Sequence, residues 1–261
     1  MAFDNIYSHF HPDEHRFVDK AAEWVERAVY QHTVKKTDFL DPRQAFILQT
    51  LVNRETDVQF RLDGGYEQAE RKRAIVAPGY RHVDDEDMGI AVVSVRSDDE
   101  KIKALNHGDY LGSVLGLGIK RDKIGDIHVH PNGAHLLVAS EIAEYIHLNL
   151  QQVHRVHVLT ETLPLAQLQV AAEQLESMSL SVASLRLDGI AGDVYRLSRA
   201  KIVIPIKAGR CKVNWKQEED PSTPLKQGDV VSLQGFGRFK VLEVEGMTKK
   251  GRIRVHVGKY V

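Results

Sequence analysis

The sequence predicts an α+β fold in three modules: an N-terminal helical region over residues 1–70, a central split βαβ domain over 71–162 and, after a helical linker at 163–182, a small basic module over 183–261. Three observations lead there. Apolar residues recur at helical spacing near the N-terminus, short β-rich runs alternate with amphipathic stretches through the middle, and charge divides unevenly along the chain.

In the first region Phe17, Ala21, Trp24, Val25 and Ala28 fall on one helical face, and Asp41-Pro42 supplies an N-cap followed by proline at the first helical position. Ala45, Phe46, Leu48, Leu51 and Val52 continue that second helix. After the Gly64-Gly65 turn, β-rich runs appear at 74–78, 90–95, 124–130 and 134–139, with amphipathic stretches at 101–116 and 141–151 and a last strand-like run at 153–159. From Ile90 the order is strand, helix, strand, strand, helix, strand. This is the split βαβ arrangement of ferredoxin-like and RNA-recognition (RRM-like) folds. The runs that would form its sheet offer His, Ile, Leu and Val where an RNA-recognition domain presents stacking aromatics, so no base stacking is assigned to it. Residues 164–179 read as one more helix or a helical linker.

The composition is that of a globular protein: 261 residues, 43% hydrophobic, 7% aromatic, with 35 Lys and Arg against 36 Asp and Glu. Disorder, collagen and a disulfide scaffold are excluded. No apolar run approaches the roughly 18 residues of a membrane-spanning helix. The first 15 residues are polar and histidine-rich where a secretory signal requires an apolar core, so a cytoplasmic location without a membrane partner is expected. Cys211 is the sole cysteine, which leaves no intramolecular disulfide and no multi-cysteine zinc site. The near-neutral total conceals an asymmetry. The last 79 residues hold 16 Lys and Arg against 8 Asp and Glu, a formal +8, while the first 182 hold 19 against 28, a formal −9. A compact +8 segment repels itself and suits a polyanionic partner, nucleic acid first, although charge alone leaves simple solubility open.

The basic module begins with a helical stretch at 186–197. Ser198 then stands as an N-cap before a second helix that ends at Gly209, a usual left-handed C-cap residue. Strands are expected at 212–215, 229–236, 239–244 and across the alternating Arg252 to Val257 segment. Arg186-Leu187-Asp188, Ser198-Arg199, Lys201, Ile206-Lys207-Ala208-Gly209, Val213-Asn214 and Gly228-Asp229 together resemble the S4 domain, an αL-type RNA-binding module. Further motifs along the wider chain lie at 37–43, 109–126, 235–239 and 248–252. With these the chain resembles the YlmH family, bacterial proteins encoded near cell-division genes. The resemblance implies RNA binding, association with a large ribosomal subunit carrying peptidyl-tRNA, and a part in the rescue and tailing of stalled nascent chains.

Positions 199 and 207 differ by eight, so on a regular helix Arg199 and Lys207 lie within about 80° of one another. Arg196 precedes Arg199 by three, making a cationic stripe that Arg210 and Lys212 extend into the first strand. Asn214 there can donate and accept at a ribose or base edge. Arg186, Ser198 and Lys201, from the matching motif, join these as RNA-binding candidates. Arg238, Lys240 and the Lys249, Lys250, Arg252 loop form a second basic group, for which RNA contact and a solvated surface both stand. Such a patch reads the shape and charge of folded rRNA or tRNA rather than its sequence. Asp188 is expected to hold a neighbouring arginine or cap a helix, and Pro205 to disturb the stripe by kinking its helix.

Other chemistry is set aside. His11 with His15, and His128 with His130, are spaced as pairs of metal ligands, but no cysteine or carboxylate completes either motif. The glycines of 112–120 lack the Gly-Lys-Ser/Thr of a phosphate loop and read as close packing and a helix end. Arg121 and Lys123 beyond them are open to RNA contact or to solvent. Pseudouridine synthases share an Arg-Leu-Asp tripeptide and an S4 domain, yet here the tripeptide opens the binding module itself. The expectation is a non-catalytic RNA-binding protein without cofactor or metal. An rRNA-modifying enzyme and an adaptor for a cell-division protein are the alternatives.

Overall fold

The computed structural model describes residues 7–247 and 251–260. The chain forms two compact units, residues 1–171 and 172–261.

The first unit opens with α1 (His15–Gln31), β1 (Lys35–Lys36), α2 (Pro42–Val52), β2 (Val58–Asp63) and β3 (Arg73–Pro78). The helices follow their local signals. Val18, Ala21, Trp24, Val25 and Ala28 make the buried face of α1, and Asp41 caps α2 by accepting from Gln44 N while Gln44 reaches back to Asp41 N. Both pack on the antiparallel sheet β1-β3-β2, whose central strand β3 is buried throughout. The helical region expected over 1–70 is thus incomplete. β2 pairs with β3 from Val58 opposite Pro78 to Asp63 opposite Arg73, so a boundary at residue 70 falls inside a hairpin.

Next come β4 (Ile90–Arg96), α3 (His107–Gly116), β5 (Ile124–His130), β6 (Gly133–Ala139), α4 (Ser140–Asn149), the small hairpin β7 (Gln152–Val153) with β8 (Val156–His157), and β9 (Leu159–Leu163). The sheet order is β5-β6-β4-β9, antiparallel throughout. This is the second-third-first-fourth order of a split βαβ fold. Its last strand lies beyond the expected 153–159, because the β7–β8 hairpin intervenes, turning at His154 with φ 52°.

One face of the four-stranded sheet packs on α3 and α4 around Val93, Tyr110, Val114, Leu136 and Ile146. The other carries Val92, Ser94, His128, His135 and Leu137, and it too is buried. Leu137 and Leu165 close on Gly65, the Phe39 ring on Gly125, and Tyr66 sits edge-on over His128 at 4.9 Å. Asp126 ties this face to the N-terminal segment by accepting from Tyr66 Oη at 2.9 Å, Glu70 N at 2.7 Å and Arg71 N at 3.1 Å. The parts expected as separate modules therefore belong to one compact unit, each with its own apolar cluster. Gly112 and Gly116 face open space, against the close packing expected of them; Gly116 does end α3.

The second unit holds β10 (Leu175–Val182), α5 (Leu187–Tyr195), α6 (Arg199–Lys207), β11 (Cys211–Val213), β12 (Lys216–Gln217), β13 (Val230–Leu233), β14 (Gly237–Met247) and β15 (Ile253–Tyr260). Its sheet runs β10-β15-β14-β13-β11-β12, antiparallel at every pair, and α5 and α6 share one core with its inner face. The linker expected as helix is a strand over 175–182: Met178, Leu180 and Val182 turn inward while Ser177, Ser179 and Ser181 stay exposed. Cys211 is fully buried, and burial pushes its thiol up to about 12, so it packs as a small apolar group.

Gly133 turns the β5–β6 hairpin at φ +146°, where a Cβ would lie 1.9 Å from the Val95 carbonyl oxygen. Gly133→Ala should cost at least about 2 kcal/mol, read as a lower urea midpoint; an unchanged midpoint would show that β4 yields there.

Candidate nucleic-acid interface

Two arginines and one carboxylate organise the start of the second unit's helices. Arg186 is the N-cap of α5, and residues 221–225 pair with this entry through Leu187 N to Thr223 O at 2.9 Å, Asp188 N to Pro221 O at 2.9 Å and Leu225 N to Leu185 O at 2.7 Å. Asp188, in the first turn, is 2% exposed. The Arg186 guanidinium grips it with both ends, Nε to Oδ1 at 3.0 Å and Nη2 to Oδ2 at 2.9 Å, and Arg199 Nε donates to Oδ2 at 2.9 Å. These donors hold the Asp188 carboxyl below the usual carboxylate range in spite of burial, and the carboxylate in turn raises Arg186. Asp220 adds a second carboxylate whose charge also acts on Arg186, so Arg199 carries the more available positive charge of the cluster. The Arg199 side chain is 67% exposed, oriented by its inner nitrogen. Asp188 thus holds a neighbouring arginine, as the sequence suggests, and holds a second one from the next helix.

The remaining candidates divide. Lys201 and Lys207 are exposed on α6, with Lys207 about 12 Å along the axis from Arg199. Arg196 is exposed but lies off this helix: it is the C-cap of α5 at φ 54°, so the three-residue spacing to Arg199 makes no stripe. Ser198 occupies the N-cap position without a side-chain cap; its carbonyl accepts from Lys201 N at 2.9 Å and Ile202 N at 3.0 Å. Pro205 sits within α6 and joins Ile202 and Ile206 on its buried face. Asn214 departs from expectation. Its Nδ2 donates to Asp229 Oδ1 at 2.8 Å and its Oδ1 accepts from Val230 N at 2.9 Å, which uses the amide to lock a turn where both Asn214 and Trp215 have positive φ.

Arg210, Lys212 and Arg238 converge on a second place, a cavity of about 420 Å³ at the end of α6. Lys240 lies 3.9 Å from Glu173, and Arg252 donates to Ser181, bracing β10 against β15 rather than reaching outward. Lys249 and Lys250 lie outside the described residues. The sequence reading missed Trp215 and Tyr260, whose rings lie 5.8 and 4.4 Å from the Arg238 guanidinium. Tyr260 at the end of the last alternating strand was the available signal.

In the first unit Arg121 donates to Ile124 O at 2.5 Å, and Lys123 bonds Asp38 at 2.6 Å and Glu141 at 2.8 Å, so both serve internal contacts. Among the described residues no three His, Cys, Asp or Glu side chains come together as metal ligands. No helix among the described residues is long and apolar enough to cross a membrane.

Residues 13–80 match the family model "YlmH, N-terminal", and residues 84–167 match "Putative RNA-binding domain in YlmH". The chain is 39% identical over 251 residues to the ribosome-associated protein quality control protein P2 of Bacillus subtilis, covering 96% of this chain and 97% of that one. A solved structure, the cell division protein ylmH from Streptococcus pneumoniae, is similar with a TM-score of 0.51 at 25% identity, covering 62% of this chain and 98% of that one.

Asp188→Asn should lower stability at neutral pH by about 2 kcal/mol, since hydrogen bonds to a charged group are lost. The depressed carboxyl contributes stability above its unfolded value, and that contribution is lost as pH falls through the folded one. The gap between variant and parent should therefore close below about pH 4; a gap independent of pH in thermal unfolding would show that the charge is not what counts.

Proposed function

The chain belongs to the YlmH family, and from that premise we propose that it is a non-catalytic RNA-binding protein whose second unit, an S4-type module, docks on folded ribosomal or transfer RNA. The carrying observation is the Arg186–Asp188–Arg199 cluster. Its buried carboxylate fixes two guanidinium groups at the start of both helices and leaves the Arg199 side chain 67% exposed. Arginine planes held in this way suit bidentate phosphate contacts, and Lys201, Lys207 and Arg196 add exposed positive charge nearby in sequence. Helix-borne cations of this kind read the backbone of an RNA helix and not its bases.

The reading extends to the large ribosomal subunit carrying peptidyl-tRNA, in the rescue and tailing of stalled nascent chains. The B. subtilis relative supports it, being named for ribosome-associated quality control. Chemistry at Asp188 has little support: the carboxylate of the Arg-Leu-Asp tripeptide is buried and gripped by two arginines, which suits positioning and not attack on a base. An adaptor role in cell division is the second reading, favoured by the acidic first 182 residues and by the name of the pneumococcal relative.

Salt separates the two. RNA binding should weaken linearly in log K against log salt, with a slope of about −0.7 to −0.9 per phosphate neutralised. Arg199→Ala with Lys207→Ala should weaken binding and make that slope shallower by about 2. Unchanged co-sedimentation of this variant with large ribosomal subunits would overturn the assignment of the surface.

A further inference from the structure

The outer face of the second unit's sheet builds a site that the helix surface does not account for. Register places Lys212 opposite Ser232, and Ser232 opposite Arg238, so the three side chains stand in a row across β11, β13 and β14. The alternate residues, Val213, Val231, Leu233 and Phe239, belong to the core on the other face. Beside this row the chain turns through Gly235 at φ +86° and Gly237 at φ +94°, conformations that favour glycine, and a Cβ at either would meet open space. The turn is held from behind by Tyr195, whose hydroxyl donates to Gly237 O at 2.9 Å. Row and turn wall the cavity of about 420 Å³, which Gly209 and Arg210 close at the end of α6.

The lining has a definite chemistry. Arg210, Lys212 and Arg238 supply three cations, Ser232 and Gln234 supply neutral donors and acceptors, and none of the described lining residues carries a carboxylate. Glu219, beside Gly209, is engaged by Gln217 Nε2 at 2.8 Å. Arg238 lies over the ring of Tyr260 at 4.4 Å and that of Trp215 at 5.8 Å, within cation–π range of both. Phe236, at the tip of the glycine turn, lies with its ring 5.6 Å from that of Tyr195, behind the turn and outside the cavity lining. The volume lies within the about 300–1,000 Å³ of small-ligand pockets. A duplex cannot enter it, because its bases are paired and stacked; a single splayed nucleotide presents a phosphate, a ribose and a flat base together.

We propose that this cavity receives one unpaired nucleotide of the bound RNA, its phosphate held by Arg210, Lys212 and Arg238 and its ribose and base set beside Ser232 and Gln234. The inference rests on the RNA-binding reading and adds to it a preference for a bulge or loop over a continuous helix.

The test uses the full chain and two hairpin RNAs that differ by one bulged nucleotide, with 2-aminopurine at the bulge. The bulged hairpin should bind about tenfold tighter than the paired one, as one added hydrogen bond to a charged group can provide, and its fluorescence should change on binding. Lys212→Ala and Arg210→Ala, both at exposed positions and checked for fold by circular dichroism, should remove the preference while leaving the paired hairpin bound. Arg199→Ala should weaken both RNAs alike. Equal affinity for the two hairpins, or a preference that survives both pocket variants, would overturn the pocket while leaving the helix surface standing. Binding of neither RNA would overturn both readings. Displacement of the fluorescent RNA's signal by free adenosine monophosphate, without any bulge preference, would reassign the cavity to a free nucleotide and overturn the RNA pocket.

Discussion

A carboxylate buried in a protein core is costly unless donors surround it, and Asp188 meets that requirement with two guanidinium groups from different helices. The pairing fixes more than charge. Arg186 lies in the entry to α5 and Arg199 is the first residue of α6, so one carboxylate sets the relation of the two helix starts. The strands then follow from the packing of those helices: Ile190, Ile202 and Ile206 share a core with Val231, Phe239, Val255 and Val257.

The first unit uses its polar and apolar faces differently from a free-standing RNA-recognition domain. Its four-stranded sheet has the split βαβ order, yet the face that would stack bases is closed by Phe39, Gly65, Tyr66 and Leu165. His128 and His135 are buried there, and their Nδ1 atoms accept from Ala171 N at 3.3 Å and Gln169 N at 3.1 Å. Burial holds both imidazoles below their ordinary range, which keeps those lone pairs available. Any contact this unit makes with RNA has to use its helices, loops or edges.

What the sequence disclosed depended on the distance over which its signals act. The caps of α2, the helical face of α1 and the order of the split βαβ elements are local patterns, and each was legible. β2 was missed although Val58, Phe60 and Leu62 alternate, because six residues beside two helical segments carry a weak signal of their own. β10 lies where a helical linker is expected, because its true partner lies at the far end of the unit and leaves no local signal. Among the site residues, the exposed lysines and the hold of Asp188 on arginine followed from residue type and position. The role of Asn214 did not, since its amide is claimed by Asp229 and Val230, contacts that only the folded turn creates. The approach of Arg238 to both Trp215 and Tyr260 is made by strand pairing, so beyond the place of Tyr260 on the last alternating strand no local pattern reports it.

The pairing of β10 with β15 bears on how the second unit comes to exist. Their register runs from Leu175 opposite Tyr260 to Val182 opposite Ile253, so even its closest pair encloses about 70 residues, both helices among them. Closing so long a loop loses entropy before the contact returns anything, which slows folding in domains dominated by distant pairings. During synthesis β10 emerges well before its partner. Until the last strand is made, one edge of β10 has nothing native to join, and the order in which this chain leaves its own ribosome becomes part of its folding pathway.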